Sequence, residues 1–382
     1  MRLSSRAASV AQSETLRISA RIAELRSRGV DVISLLEGEP DLPVPPAVRA
    51  ATVRALNAGQ TRYSNASGLP ELKALLARKL KARNKIAAGP GNILICNGAK
   101  QALHGALQAI CGPGDEVIIL RPYWVTFPES VRLAGAKPVF VETRAHQLDV
   151  DAVAAAVTRR TRAVIINSPN NPSGAVYPAA ALRALARLAA KRDFYIISDE
   201  AYEDQVYDGA KHVSVAALAG LKRVITLQTF SKSWSMTGFR VGYMVADQAV
   251  VSAAARLQGH VTGNVCTFAQ RGAIAALALG KRALEARRRV FEKRRDLAYA
   301  LAAPLFNCLK PRGAFYLFVD ARPRLRFGET SAKLAARLLD RARVAVVPGS
   351  ACGMEGFLRL SFTQPEPVLR TAFARLTDEL CR

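Results

Sequence analysis

The stretch that decides the fold is YIISDEAY at residues 195–202, where a short apolar run ends directly in charged and polar residues. The same order of apolar run, polar turn and helical stretch recurs along the chain, with candidate helices such as 100–110 and 179–191 between the runs. This alternation predicts an α/β fold in which helices sandwich a mostly parallel sheet. The apolar runs are 93–96, 117–120, 138–141, 163–167, 195–198, 224–228 and 241–245.

The two ends of the chain carry a second pattern, which predicts a smaller α+β domain. A chain of 382 residues exceeds what one compact core normally holds. We expect residues 1–44 to form an N-terminal segment of the small domain, 45–285 a large domain that holds the site, and 286–382 a connecting helix and the rest of the small domain. The elements concerned are helix 13–29, strand 32–36, a long helix from about 281, strand 314–319, helix 331–341 and strands 344–347 and 357–362.

The net charge of +25 is dispersed along the chain, as 41 arginines and 14 lysines against 30 acidic residues. The densest basic group, at 287–295, alternates with apolar residues in the manner of a solvated helix face, so no specific nucleic-acid partner is expected. No apolar run approaches the roughly 20 residues of a membrane span, and residues 1–10 lack the apolar stretch of a signal peptide. We therefore expect a cytoplasmic protein without membrane contact.

The six cysteines predict neither a metal site nor a redox site. They include no Cys-x-x-Cys pair and have no histidine at ligand spacing. Reduced thiols are the expected state in the cytoplasm. The cysteines stand at positions 96, 111, 266, 308, 352 and 381.

Chemically distinctive side chains follow two of the apolar runs. Lys232 lies in FSKS at 230–233, eight residues before Arg240, while Asp199 and Tyr202 end the segment quoted first. Pyridoxal phosphate needs an amine that forms an imine with its aldehyde, an anion against its pyridine nitrogen and a donor to its phenolic oxygen. Lys232, Asp199 and Tyr202 match these needs in that order. Ligands of open α/β sheets gather at the carboxyl ends of the strands, which supports a catalytic site here.

A phosphate-binding set accompanies these residues. Ser231 contributes a hydroxyl and Arg240 a cation. Gly98, Ala99 and Lys100 join a strand to a helix, where small residues expose backbone N–H groups at the helix N-terminus. Taken alone, this glycine turn also has a purely structural interpretation.

Four further residues are candidates for contacts with the ring, the substrate or a partner. Asn171, in the turn SPNNPSG at 168–174, can donate to the ring oxygen, and Trp124 either packs in the core or stacks on the cofactor. Arg359 lies mid-strand in FLRLSF at 357–362, where a buried guanidinium needs an anion and a carboxylate fits its fork. Tyr63, considered by itself, is a loop aromatic.

Several motifs occur jointly over nearly the whole chain, and with them the sequence resembles fold-type I pyridoxal-phosphate aminotransferases of class I/II, in the aspartate aminotransferase branch. The motifs are GEPD at 38–41, TRY at 61–63, SGLP at 67–70, NGAKQ at 97–101, PYW at 122–124, NNPSG at 170–174, SDE at 198–200, the segment from Ser231 to Gly242, and VPGS at 347–350.

The resemblance implies a role for each candidate. Lys232 would be the imine lysine, with the cofactor-binding roles of the other residues as given above. The backbone near Gly38 would join Asn171 and Arg359 in binding the substrate α-carboxylate. Tyr63 would reach the phosphate in the partner subunit, so that the active enzyme would be a homodimer with shared sites.

The implied reaction is a two-stage transamination. An L-amino acid displaces Lys232, the freed amine moves the α-proton, and a second 2-oxo acid such as 2-oxoglutarate reverses the sequence. Lys100, beside the phosphate cradle, favours aspartate or another acidic donor. Glu37 is a departure from the family pattern that disfavours an acidic substrate, and GHVTGNV at 259–265 matches the family's Ser/Thr-rich loop only loosely.

Alternative functions remain open on the sequence. An aromatic or prephenate-type aminotransferase, or a carbon–sulfur lyase on the same fold, would share the cofactor residues. A transcription regulator with an aminotransferase-like domain would need a DNA-binding domain ahead of the fold. We expect none, because the family pattern begins by about residue 13.

Overall fold

The computed structural model describes residues 10 and 14–381 of the chain. Its strands form three sheets, of seven, four and two strands. The strands are β1 (Ile33–Ser34), β2 (Ile93–Cys96), β3 (Glu116–Arg121), β4 (Lys137–Glu142), β5 (Thr161–Asn167), β6 (Tyr195–Asp199), β7 (Val224–Thr229), β8 (Gly242–Val245), β9 (Asn307–Cys308), β10 (Tyr316–Asp320), β11 (Val344–Ala345), β12 (Val347–Pro348) and β13 (Phe357–Ser361).

Helices separate most of the strands. None of the helices between residues 14 and 381 is both long and apolar enough to cross a membrane. The helices are α1 (Glu14–Ser27), α2 (Pro46–Asn57), α3 (Pro70–Lys79), α4 (Gly98–Ile110), α5 (Thr126–Leu133), α6 (Val150–Ala156), α7 (Ala179–Arg192), α8 (Val215–Ala219), α9 (Gln248–Val261), α10 (Thr267–Ala278), α11 (Gly280–Ala302), α12 (Ser331–Arg337) and α13 (Glu366–Leu380).

The seven-stranded sheet has the order β2-β8-β7-β6-β5-β3-β4. Strands β3 to β7 pair in parallel, whereas β8 runs antiparallel to both β7 and β2. The predicted α/β fold with a mostly parallel sheet is therefore confirmed. Because β5, β6 and β7 are neighbouring parallel strands, Asn167, Asp199 and the loop after Thr229 lie close together at the carboxyl end of the sheet.

Both faces of this sheet are apolar, which explains why its strands read as continuous apolar runs. On β3, Ile118 and Leu120 belong to one buried cluster, while Val117 and Ile119 belong to another on the opposite face. Successive side chains of a strand point to opposite faces, so a strand covered by helices on both sides must be apolar at every position.

The smaller sheets bring the two ends of the chain together. Strand β1 pairs in parallel with β11, and the four-stranded antiparallel sheet has the order β12-β13-β10-β9. A separate buried cluster joins α11, α12 and α13 to β10 and β13. The boundaries 1–44, 45–285 and 286–382 themselves stay a prediction.

The structure corrects several element boundaries. The predicted strand 344–347 is two short strands that belong to different sheets. Ala314 has a φ of +58°, so β10 begins at Tyr316, and α12 ends at Arg337, where one π-helical turn follows. Strand 32–36 shortens to two residues. The predictions that the first helix begins at residue 13 and that residues 1–10 hold no signal peptide fall largely on 1–9 and 11–13, outside the described residues.

Candidate active site

Lys232 lies in the loop between β7 and β8, at the end of the sheet where β5 and β6 also terminate. Its Nζ donates a hydrogen bond of 2.6 Å to the carbonyl oxygen of Gly38 and lies 5.8 Å from the Tyr202 ring. Burial lowers the pKa of the amine to about 8 against the opposing charge of Glu39, with Arg359 contributing to the decrease. A neutral, nucleophilic amine is therefore accessible near physiological pH.

Asp199 is buried at the end of β6, beside Lys232. The backbone N–H of Ala201 donates to its Oδ1 at 3.1 Å. Burial raises the pKa of this carboxyl to about 7, although the Ala201 hydrogen bond opposes the change. A cationic N–H donor would restore the ionised form, because a buried carboxylate needs a charged partner.

Arg240 and the start of α4 form a narrow cradle. The Arg240 side chain donates to the carbonyl oxygens of Thr237 at 2.7 Å and Asn97 at 3.3 Å. Gly98 has a φ of +77°, and a Cβ there would lie only 2.6 Å from Arg240 Nη2. The positive φ favours glycine here, and the N–H groups at this helix N-terminus lie beside a cation, as an anion site needs.

The other predicted contacts of the phosphate set and the ring lie nearby. Ser231 is buried, and its Oγ accepts a hydrogen bond of 2.9 Å from the Thr229 hydroxyl. The Lys100 ammonium sits 5.2 Å from the ring centroid of Trp124, and burial lowers the pKa of Lys100, with Arg240 contributing. Ala99, between Gly98 and Lys100, approaches Gly242 so closely that a Cβ at 242 would lie 2.7 Å from its amide nitrogen.

Arg359 lies on β13 of the four-stranded sheet, and its side chain reaches the loop that follows β5 of the seven-stranded sheet. Its Nη1 donates to Asn171 Oδ1 at 3.0 Å and its Nη2 to the Leu36 carbonyl oxygen at 2.7 Å. Its Nε is buried and has no hydrogen-bond partner among the described residues. A buried guanidinium with a free donor is prepared for an anionic ligand, because leaving such a donor unpaired is costly.

Three features singled out in the sequence lie apart from this cluster or have other partners. Tyr63 is 97% exposed in the single chain. The Glu37 carboxylate accepts a hydrogen bond of 2.5 Å from Ser34, which restrains it. Thr262, in the loosely matching loop, accepts a 2.5 Å hydrogen bond from Gln101, next to the α4 cradle.

Sequence reasoning missed Tyr316, the first residue of β10. Its hydroxyl lies 2.8 Å from the Tyr202 hydroxyl, and its ring lies 4.5 Å beneath the Arg359 guanidinium. In the run AFYLFVD at 314–320 a tyrosine is an ordinary strand residue. No local signal distinguishes it from its neighbour Phe315.

Sequence reasoning also missed a buried polar cluster behind the site. Lys79 Nζ donates to Glu203 and to Gln228 Oε1, at 2.5 and 2.7 Å, while Gln228 Nε2 donates to Glu200 at 3.0 Å. His212 lies 3.1 Å from the same Glu200 oxygen. A glutamine inside the apolar strand VITLQT was the available signal, since a buried amide needs polar partners.

The residues present fit pyridoxal phosphate. Arg240 and the amides at the start of α4 can hold a phosphate, the Asp199 carboxyl forms no ion pair with another described residue, and the buried Lys232 amine lies nearby. The fold and this set of groups define an α/β enzyme of the pyridoxal-phosphate-dependent class.

Comparison with known proteins gives the family. Residues 30–376 match the family model for aminotransferases of class I and II, and the chain belongs to that family. The resemblance stated from the motifs, to the aspartate aminotransferase branch of fold type I, is confirmed, as is the prediction of an aminotransferase.

Relatives match over essentially their full lengths. The chain is 42% identical to a probable aspartate/prephenate aminotransferase of Aquifex aeolicus, covering 99% of this chain and 98% of that protein. It is 40% identical to the aspartate aminotransferase of Geobacillus stearothermophilus, covering 98% of each. The solved structure of Thermus thermophilus aspartate aminotransferase with maleate superposes with a TM-score of 0.95 at 40% identity, covering 100% of both chains.

Proposed function

We propose that this chain transfers the amino group of an L-amino acid, preferentially aspartate or another acidic donor, to a 2-oxo acid such as 2-oxoglutarate. The observation that carries the proposal is the convergence of the buried Lys232 amine, the Asp199 carboxyl and the free Nε of Arg359 at one edge of the sheet. Relatives of about 40% identity named for aspartate support the choice of donor.

Bound pyridoxal phosphate would supply an electron-accepting ring that stabilises the charge left at the α-carbon when the α-proton departs. The chain's own groups bind and orient around that chemistry. Ser231, Arg240 and the amides of Gly98, Ala99 and Lys100 would hold its phosphate. Trp124 would pack against its ring.

The remaining groups control protons and the substrate. Asp199 would hold a proton at the ring nitrogen, while Tyr202 and Asn171 would donate to the phenolic oxygen. Arg359 binds the α-carboxylate with help from the backbone near Gly38. Lys232 Nζ would take the α-proton from the amino donor and return it within the same bound complex, and its pKa of about 8 suits both tasks.

We propose Lys100 as the group that selects an acidic donor. Its side chain is exposed in the single chain and its ammonium lies 5.2 Å from the Trp124 ring centroid, so a distal carboxylate that bound there would form an ion pair that the bound substrate itself shields from water. Such a pair contributes more than the ~1 kcal/mol of an exposed one. The restraint of Glu37 by Ser34 removes part of the argument against an acidic substrate.

The test compares kcat/KM for aspartate, phenylalanine and alanine with 2-oxoglutarate, and for glutamate with prephenate. Lys100→Ala should lower kcat/KM for aspartate at least about tenfold more than for alanine, about 1.4 kcal/mol. Exposed Lys222→Ala is the matched control, and Lys232→Ala should abolish turnover. Equal losses on all donors would assign Lys100 to the cofactor phosphate. Preferential use of phenylalanine would favour an aromatic aminotransferase.

The organisation of the enzyme is part of the same proposal. The pairing of β1 with β11 supports assigning residues 1–44 to a small domain with 286–382, leaving 45–285 as the large domain. The exposure of Tyr63 supports a homodimer in which that hydroxyl reaches the partner's phosphate. We also propose that the substrates are small amino acids and 2-oxo acids and that the enzyme acts in the cytoplasm.

A further inference from the structure

Tyr316 touches three separate parts of the candidate site with one side chain. Its hydroxyl lies 2.8 Å from that of Tyr202, and its ring lies 4.5 Å beneath the guanidinium of Arg359. A Cβ on residue 38 would overlap the Tyr316 hydroxyl at 1.7 Å, so the phenol passes directly against Gly38. The side chain is buried and therefore fixed by its surroundings.

The two phenols share one hydrogen bond, in which either hydroxyl can be the donor. A hydroxyl has a single hydrogen to donate. If Tyr202 directs its hydrogen to the phenolic oxygen of the bound cofactor, its own oxygen must accept from Tyr316. The Arg359 charge over the Tyr316 ring favours this direction, because a nearby cation makes a phenol a better donor.

A chain of hydrogen bonds strengthens each of its members. Donation from Tyr316 would make Tyr202 a stronger donor and would hold its hydroxyl in one orientation. The same ring supports Arg359, whose Nη1 reaches Asn171. One residue thus connects the groups that face the cofactor oxygen and the substrate carboxylate.

We propose that Tyr316 is a positioning residue, which orients the Tyr202 hydroxyl toward the cofactor and holds the Arg359 guanidinium in place. The proposal rests on the proposed aminotransferase function. Its two parts are separable, because the hydroxyl acts on Tyr202 and the ring acts on Arg359.

The test measures the pH midpoint of the absorbance change of cofactor bound to Lys232. A donor to the cofactor's phenolic oxygen makes that oxygen less basic. The proton that this oxygen shares with the nitrogen of Lys232 then leaves at lower pH. Tyr202→Phe should therefore raise the midpoint. Tyr316→Phe should raise it less, by roughly 0.3–1 pH unit, since one neutral hydrogen bond is removed.

The double variant Tyr202→Phe/Tyr316→Phe decides whether Tyr316 acts through Tyr202. Its midpoint should equal that of Tyr202→Phe alone, because non-additivity is expected of groups in series. Tyr207→Phe is the matched control: it removes a buried hydrogen bond of 2.6 Å to the Ala314 carbonyl oxygen and should leave the midpoint unchanged.

The ring is tested through KM. Tyr316→Phe should keep KM for the amino donor within about twofold, whereas Tyr316→Leu should raise it severalfold because the face beneath Arg359 is lost. Gly38→Ala gives a second route, since the new methyl must displace the Tyr316 hydroxyl, and it should raise the midpoint in the same direction.

Two results overturn the inference alone: an unchanged midpoint in Tyr316→Phe while Tyr202→Phe shifts, or additive shifts in the double variant. Failure of the proposed function has a different signature. Borohydride would then fix cofactor to the Lys232→Ala protein as well as to the wild type, and the inference would fall with it.

Discussion

Asp199 is a carboxyl group whose ionisation is disfavoured in the cofactor-free protein, because it is buried. Burial raises the pKa of its carboxyl from an ordinary value of 3.8 to about 7. Because the folded pKa lies above the unfolded one, the resulting loss of stability is absent below about pH 4, grows as the pH rises toward 7 and is complete above it. A cofactor nitrogen that carries a proton would relieve this cost.

We predict opposite effects of Asp199→Asn on stability and on catalysis. The amide keeps the oxygen that accepts from Ala201 but cannot ionise, so the cofactor-free variant should be more stable at pH 8, by roughly 1–3 kcal/mol. Turnover should fall at least about 100-fold, because the ring nitrogen loses its anionic partner. Urea unfolding at pH 5 and pH 8, with steady-state kinetics, measures both. Near-wild-type turnover would refute the role given to Asp199.

At the scale of elements, the buried polar cluster ties α3, β6, β7 and the 212–214 loop together beneath the site. Lys79 on α3 contacts Glu203 and Gln228, and Ser214 donates to Glu200 at 2.6 Å. The two carboxylates flank Tyr202 in the turn that follows β6. Since Gln228 lies four residues before Lys232, the cluster fixes the loops that carry Tyr202 and Lys232 relative to one another.

The charges of this cluster predict a pH-dependent stability. Burial would lower the pKa of His212, but Glu200 and Glu203 face it and raise the pKa above the ordinary 6.5, while Lys79 opposes them. With His212 protonated, its charge and that of Lys79 balance Glu200 and Glu203, while the neighbouring Arg83 pairs with Asp204. A raised folded pKa gives stabilisation that is fully present below pH 6.5 and is lost as the pH rises through the folded value.

We predict that His212→Asn lowers the melting temperature at pH 6 and reduces its fall between pH 6 and pH 9. Thermal unfolding across that range measures the effect. Lys222→Asn, at an exposed position outside the cluster, is the control and should retain the wild-type profile. Parallel profiles for wild type and His212→Asn would show that His212 does not titrate in this range.

At the scale of the whole molecule, one predicted site residue stands outside the site. Tyr63 is 97% exposed, and Leu257 and Val261 on α9 are exposed as well. A cavity of about 590 Å³ between α4, α5 and α9 lies beside Lys100, Arg240 and Val261. A second copy of the chain that covered this region would complete a site from two subunits.

Hybrid dimers test this arrangement. Mixed Tyr63→Phe and Lys232→Ala subunits should give hybrids with one native site and one doubly defective site, about a quarter of all sites at random 1:1 mixing. Turnover with aspartate should exceed the average of the two parents after subunit exchange. No gain, with hybrid formation verified by native mass spectrometry, would place Tyr63 in its own chain's site.

The sequence by itself determined the α/β class, the strand runs and the order of Asp199, Tyr202, Lys232, Arg240 and Arg359. Hydrophobic periodicity, turn residues and strand-end chemistry are local properties, so they are legible without coordinates. The sequence did not show that the apolar run 344–347 is divided into β11 and β12, which belong to different sheets. The run divides there because β11 pairs with β1 whereas β12 pairs with β13.

Only the tertiary structure decided which distant residues meet. Tyr202 contacts Tyr316 across 114 positions of sequence, and Lys79 contacts Gln228 across 149. Neither Tyr316 nor Lys79 differs in its local pattern from ordinary strand and helix residues. Their roles arise from packing between separate elements, because burial and partner charge, which set donor direction and pKa, exist only after those elements are assembled.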